Sequence, residues 1–172
     1  RAYALTGAEQ YPACFWQHFE TFCAANPPNQ GPNWSSAQEV ALRLLALLFA
    51  CGVFEASPHS TPERMAQLAG VFAAHARRIP PTLPYARAQN NNHLLSEALG
   101  LYAASCTLPE HPDARGWSAL GWKQFNAAVK KQLHGNGVYA QHSMNYHRLM
   151  LHLALLAAQF GRPFPGAVQP RL

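Results

Sequence analysis

The sequence predicts an all-α fold of antiparallel helical hairpins that form part of an α/α toroid. Apolar residues recur at helical spacing along almost the whole chain, and the connections are rich in Pro, Gly, Asn and Ser. Strand patterns are weak, and only GVYAQ at 137–141 has the character of a short extended segment. Short connections favour hairpins packed in layers. A compact helical bundle is the structural alternative, because no repeat is visible in the letters themselves.

Six helices are predicted along the chain. Ser35 or Ser36, followed by Glu39, has the pattern of a capping box at the start of the second helix. Pro62 lies in the first turn of the third helix, and Asp113 opens the fifth. The predicted helices are 8–25, 36–54, 62–78, 91–106, 113–134 and 144–160.

The apolar character of these helices predicts their layers. Segments 36–54 and 144–160 are apolar nearly all round, which predicts inner positions, whereas 113–134 has a clear polar face and should lie outside. Alternation of inner and outer helices is what a toroid or solenoid requires.

The length of 172 residues is enough for one domain with a core. We expect a toroid-like helical domain over 1–162 and a linker over 163–172, and the initial Arg predicts a processed protein or a fragment of a longer chain. The most apolar stretch after Arg43 has eleven residues, 44–54, so no membrane-spanning segment is predicted.

Charge narrows the choice of partners. Charged residues make up only 12% of the chain, about half the usual ~25%, so many surfaces must face other protein or a cleft. The net charge of +5 favours anionic partners. The basic residues are scattered, which argues against a nucleic-acid interface.

The four dispersed cysteines predict free thiols rather than a disulfide framework or a zinc site.

Three polar clusters interrupt this apolar chain, each at the start of a helix, and the first is Asn33-Trp34-Ser35-Ser36. Its structural interpretation is a helix cap followed by an ion pair between Glu39 and Arg43, which are four residues apart. Its functional interpretation is that Trp34 offers a flat apolar face to a sugar ring at the rim of a cleft.

The second cluster is QNNNHLLSE at 89–97. If a helix begins near Asn91, His93 lies in its first turn, where unsatisfied backbone N–H groups and the helix dipole favour anions. Asn amides and His93 there can hold a carboxylate. His93 and Glu97 share a helix face, but two ligands do not make a metal site. The alternative is one capping Asn with its neighbours in a loop.

The third cluster is GNGVYAQHSMNYHRL at 135–149. Tyr146 falls on one stripe with Leu149 and Leu153, so a core tyrosine is the alternative to a functional one. His142 and His147 are five residues apart, which weakens a metal interpretation. Gln141 also belongs to this cluster.

A chemistry of amide, imidazole and phenol suits β-elimination on acidic sugars. The sequence contains no nucleophile elbow, P-loop, dinucleotide fingerprint or H-E-x-x-H motif. In a uronic acid the C5 proton is α to a carboxylate, so a site must neutralise that carboxylate and stabilise the developing enediolate. A base then takes the proton and an acid protonates the departing O4, and tyrosine can serve as either.

Four segments of the chain carry a family resemblance: GPNWSSAQEVALR, NNNHLLSEALGL, LPEHPDARGW and NGVYAQHSMNYHRLMLHLAL. Together they resemble the heparinase II/III-like family of bacterial polysaccharide lyases. The resemblance implies an α/α toroid followed by a β-sandwich that supplies further catalytic His and Tyr residues. It implies Asn92 as the carboxylate neutraliser, His93 in substrate binding or base work, and Tyr146 as the catalytic acid, or acid and base. Substrate-binding roles are expected for Trp34, Asn91, Glu97, Gln141, His142 and His147.

Two departures qualify this resemblance. The turn before the tyrosine commonly carries Asp-Gly and an acidic residue, where this chain has Asn136-Gly137 and Gln141. The second departure is that the expected β-sandwich is not found in these 172 residues, so the chain is expected to be part of an enzyme. That enzyme is expected to act without metal or cofactor on a heparin-like or alginate-like polysaccharide, in the periplasm or secreted; a cytoplasmic location stays open. The alternative is a non-catalytic helical module that binds acidic glycans or serves surface-polysaccharide assembly.

Overall fold

The computed structural model describes residues 1–160, and the predicted all-α fold is confirmed over this range. Within it no β-strand forms, and one isolated antiparallel bridge joins Leu133 to Tyr139 in the predicted extended segment. The predicted linker at 163–172 lies outside the described residues. The eight α-helices are α1 Ala2–Thr6, α2 Gln10–Ala25, α3 Ala37–Phe54, α4 Pro62–Arg78, α5 Leu83–Gln89, α6 Asn92–Thr107, α7 Ala114–Gln132 and α8 Met144–Phe160.

The predicted helix starts of α3 and α4 have local physical causes. The hydroxyl of Ser36 accepts a hydrogen bond from the backbone N–H of Glu39, at 3.4 Å, and so caps α3. Thr61 accepts from the N–H of Arg64 in the same way, and Pro62 occupies the first position of α4, where no backbone donor is needed.

Two short helices were not predicted. One is α1, and the other is α5, which lies in the proline-rich segment expected to be a loop. Prolines break helix interiors but are tolerated in the first turn, and Pro84 is the second residue of α5. A 3₁₀ turn at Pro80–Thr82 leads into α5, so each proline stands at the start of a helical segment.

Helix α6 is the centre of the described fold. It contacts α3, α4, α5, α7 and α8, and thirteen of its sixteen residues are buried. It forms a hairpin with α7, and the two backbones approach closely at Gly121. A Cβ at that position would lie 2.7 Å from the backbone nitrogen of Tyr102 on α6. Residues 92–107 therefore hold the innermost position, which the sequence assigned to 36–54 and 144–160.

Helix α8 is only half-buried. Met150, Leu153 and Ala157 face the core, but Leu151 is 50% exposed and Leu155 65% exposed. The prediction that 144–160 is an inner helix is thus not met within residues 1–160, because nothing described there covers its second apolar face.

Helix α3 has the length and composition of a membrane-spanning helix, at 18 residues and a mean hydropathy of 1.7, although the sequence predicted none. Core helices of water-soluble proteins also have these properties, and α3 packs one face against α4 and α6. The cysteines are free as expected. Cys51 is buried, whereas Cys14 is exposed.

Candidate functional site

The three consecutive asparagines have three different backbone roles. Asn90 ends α5 in the left-handed conformation, with φ of 48°, and its N–H donates to the carbonyl of Ala86. Asn91 is the N-cap of α6, and its side-chain oxygen accepts from the N–H of His93 at 3.0 Å. Asn92 is the first residue of α6. The run therefore turns the chain sharply between two helices.

A hydrogen-bonded network joins this turn to the third polar cluster. The N–H of Asn92 donates to Gln141 Oε1 at 2.8 Å, and Gln132 Nε2 donates to the carbonyl of Asn91 at 3.0 Å. The Tyr139 hydroxyl donates to Gln132 Oε1 at 2.8 Å and lies 3.2 Å from Gln141 Oε1. The fold thus brings together the two stretches on which the predicted chemistry depends.

This network changes the interpretation of the α6 N-terminus. The backbone donors of Asn92 and His93 were expected to be open to a substrate carboxylate. They are instead occupied by the side chains of Gln141 and Asn91. Any carboxylate held here would have to use side-chain donors, which are the Asn92 amide and the His93 imidazole.

Both of these side chains have hydrogen-bonding capacity to spare. Asn92 is only 3% exposed, and its side-chain amide makes no hydrogen bond to any residue within 1–160. Within residues 1–160 the one buried side-chain polar atom without a hydrogen-bond partner is Asn90 Oδ1, so the polar atoms of the Asn92 amide still reach solvent and are open to a ligand. His93 is half-buried, and burial lowers its pKa below the ordinary 6.5, so its imidazole is neutral at pH 7.

Glu97 lies below the surface rather than beside an open face. It is 3% exposed, and its Oε2 accepts a hydrogen bond from the Thr82 hydroxyl at 2.9 Å. Burial raises the pKa of this carboxyl, although the Thr82 hydrogen bond and the Arg78 charge oppose the shift. In this placement Glu97 joins α6 to the segment before α5.

A cleft of about 420 Å³ opens beside the network, between the 136–143 connection and the start of α8. Two histidines line this cleft. His142 is exposed, and the ring centroid of His147 lies 6.2 Å from the ring centroid of Tyr139. The complete lining is Asn136, Gly137, Val138, Tyr139, Gln141, His142, Ser143, Met144 and His147.

Tyr146 lies in the first turn of α8, next to His147. It is 43% exposed, and within residues 1–160 its hydroxyl makes no hydrogen bond. The alternative of a core tyrosine with a satisfied hydroxyl does not describe this position, and the phenol is accessible to a ligand.

Trp34 is corrected by the structure. It is 4% exposed, its ring lies 4.6 Å from that of His75, and its Nε1 donates to the carbonyl of Asn26. The ring therefore belongs to the core and offers no face to a sugar. The neighbouring Arg43 donates to His75 and to the carbonyl of Asn33 instead of forming the expected ion pair with Glu39.

Sequence reasoning missed two residues of the site, Gln132 and Tyr139. Gln132 is fully buried and ends α7, where its sequence KKQL resembles an ordinary exposed helix end. Tyr139 is 2% exposed, and its one signal is the short extended segment around it.

The family model described as heparinase II/III N-terminus matches residues 1–163. The chain belongs to the heparinase II/III N-terminal family. The resemblance seen in the sequence is thereby confirmed.

Two relatives of this heparinase II/III N-terminal chain are heparin-sulfate lyases. The one from Bacteroides thetaiotaomicron is 27% identical over 150 residues, which are 86% of this chain and 21% of the relative. The one from Pedobacter heparinus is 26% identical over 160 residues, which are 90% of this chain and 24% of the relative. The chain thus spans less than a quarter of the length of these relatives. No solved structure matches it.

Proposed function

We propose that this chain is the N-terminal helical part of a polysaccharide lyase that cleaves a uronic-acid-containing polysaccharide, heparin-like or alginate-like, by β-elimination. One observation carries the proposal: the Asn92 side chain has no hydrogen-bond partner within residues 1–160 and stands beside a neutral His93, while the Asn92 backbone N–H donates to Gln141 in the connection that leads into Tyr146. The family and the names of the two relatives support the same reaction class.

The proposed reaction follows from these side chains. The Asn92 amide donates to the uronate carboxylate, which makes the C5 proton more acidic. His93, being neutral, can accept that proton or donate to the carboxylate. Tyr146 gives its proton to O4 as the C4–O4 bond breaks, and the C5 electron pair forms the C4–C5 double bond. Where Tyr146 serves also as the base, it starts as the phenolate, takes the C5 proton and then passes this proton to O4.

The proposal also assigns the chain a place in a larger molecule. We propose that the described helices are part of an α/α toroid, and that a β-sandwich domain faces its cleft and supplies further catalytic His and Tyr residues. The exposed second face of α8 is consistent with more helices beyond it, because a toroid places each helix between neighbours.

The test is an assay of the full-length protein on heparin, heparan and alginate chains. β-Elimination produces a double bond conjugated to a carboxylate, which ultraviolet absorbance detects. Tyr146→Phe should lower the rate by about 100-fold or more, since positioned acid–base groups contribute that much. Tyr11→Phe is the matched control, because Tyr11 is 37% exposed and lies on α2.

Each outcome decides between the candidates. Product from wild-type protein together with an inactive Tyr146→Phe variant supports the proposed acid, whereas full activity of that variant contradicts it. Binding of an acidic glycan without product would favour the non-catalytic module. Glycan binding that is unchanged by Asn92→Ala and His93→Ala would contradict the carboxylate site.

A further inference from the structure

One peptide group in the site is held on both sides. The carbonyl bonded to Gln132 and the N–H bonded to Gln141 belong to the same peptide unit, the one that links Asn91 to Asn92. Tyr139 donates towards both glutamine oxygens and so closes the ring. A peptide fixed at its C=O and its N–H has lost the freedom to rotate about the neighbouring bonds.

The directions of the groups in this ring are determined by their chemistry. The Asn91 carbonyl can only accept, so Gln132 must turn its NH₂ towards that carbonyl and its oxygen towards the Tyr139 hydroxyl, which therefore donates. Burial raises the pKa of Tyr139 to about 12, so the hydroxyl keeps the proton that it donates. Gln132 is 0% exposed, so water cannot replace either bond, and the loss of one leaves a buried group unsatisfied.

We propose that Gln132 is a positioning residue for the reaction: it holds the Asn91 carbonyl directly and, together with Tyr139 and Gln141, orients the Asn91–Asn92 peptide and thereby aims the Asn92 side chain at the substrate. The Asn92 Cα follows directly after the held peptide, so rotation of that peptide displaces the amide. The inference rests on the proposed function for its effect on rate, and on the ring of hydrogen bonds for its effect on the backbone.

The first experiment measures kcat and KM of the full-length protein with Tyr139→Phe and Gln132→Leu. Misplacement of a catalytic group by about 1 Å can cost about 100-fold, so we expect kcat to fall about 10- to 100-fold while KM changes about threefold or less. Two matched controls should retain wild-type kcat. Gln124→Leu replaces another buried glutamine of α7, and Tyr102→Phe replaces a half-buried tyrosine of α6.

The second experiment separates positioning from general destabilisation with a double-mutant cycle. If the ring acts through Asn92, Tyr139→Phe should have little further effect on kcat in the Asn92→Ala background. Effects of the two substitutions that multiply fully would overturn the proposal, as would a wild-type kcat in Tyr139→Phe.

A third measurement is independent of lyase activity. Hydrogen–deuterium exchange of the segment at residues 90–95 should become at least about tenfold faster in Tyr139→Phe than in Tyr102→Phe, because Gln141, the acceptor of the Asn92 N–H, loses the hydroxyl that holds it in place. Equal exchange in the two variants would refute the ring. A wild-type protein without product but with the exchange effect would refute the lyase proposal and leave the ring intact.

Discussion

Asn90 and Asn91 are neighbouring asparagines with different roles in the turn between α5 and α6. Asn90 tolerates the left-handed conformation that ends α5, and Asn91 uses its side chain to cap α6. Neither role requires a ligand. Asn92 differs from both because its side chain has no part in either backbone role and makes no hydrogen bond within residues 1–160, so at the residue scale it is the functional candidate.

His75 provides a second residue-scale feature, remote from the site. It is 0% exposed, its Nδ1 donates to the carbonyl of Val71, and its Nε2 accepts from Arg43. This arrangement requires a neutral ring. Burial, reinforced by Arg43 and opposed by the Val71 bond, lowers the pKa of His75 to about 4.

We predict that acid destabilises the protein partly through His75. Between pH 6.5 and about 4 the unfolded chain binds a proton at this residue that the folded chain does not, so stability falls as the pH falls through this window. The loss is on the order of 3 kcal/mol at most. Urea denaturation should show a smaller loss from pH 7 to pH 4 for His75→Gln than for wild type, and parallel profiles would contradict the prediction.

At the scale of elements, the hairpin of α6 and α7 depends on a close approach at Gly121. An added Cβ would lie 2.7 Å from the nitrogen of Tyr102 and 2.8 Å from the carbonyl oxygen of Ala98. These are backbone atoms of α6, so the helices would have to move apart. Because α6 contacts five other helices, that movement would disturb the whole core.

We therefore predict that Gly121→Ala lowers the free energy of unfolding by about 1–3 kcal/mol, as overpacking does. Gly116→Ala is the control on the same helix, where an added Cβ meets nothing within 4 Å. That substitution should stabilise the protein by about 0.5–1 kcal/mol, since Ala favours helix. Chemical denaturation of both variants measures the difference, and equal effects would show that the helices can separate freely.

At the scale of the whole molecule, the outer face of α8 is apolar and exposed within residues 1–160. Leu155 is 65% exposed and Leu151 50% exposed, on a helix whose opposite face is core. In the proposed toroid, further helices cover this surface. The relatives have ample chain for them, because this chain matches less than a quarter of their length.

We predict that Leu155→Lys destabilises the full-length protein by about 1–3 kcal/mol, the amount that burial of a leucine contributes. Leu5→Lys is the control, since Leu5 is 76% exposed on α1. Thermal unfolding of both variants provides the comparison. If Leu155→Lys is as neutral as Leu5→Lys, this face of α8 is open to solvent and the toroid arrangement is wrong there.

Local sequence determined the fold class, six of the eight helices found within residues 1–160, and the family of this chain. Helix periodicity and caps such as Ser36 depend on residues about four positions apart, so the sequence alone predicts them. The short helix α5 was missed because its prolines were taken as breakers, although Pro84 stands in a first turn.

Only the tertiary structure decided which helix is central and how the site is held. Gln132 reaches Asn91 across 41 residues, and Gln141 reaches Asn92 across 49. Such contacts depend on how helices pack, and no local pattern encodes them. For the same reason Trp34 was expected at a cleft rim and lies in the core, while the backbone donors expected to bind substrate are already occupied by Asn91 and Gln141.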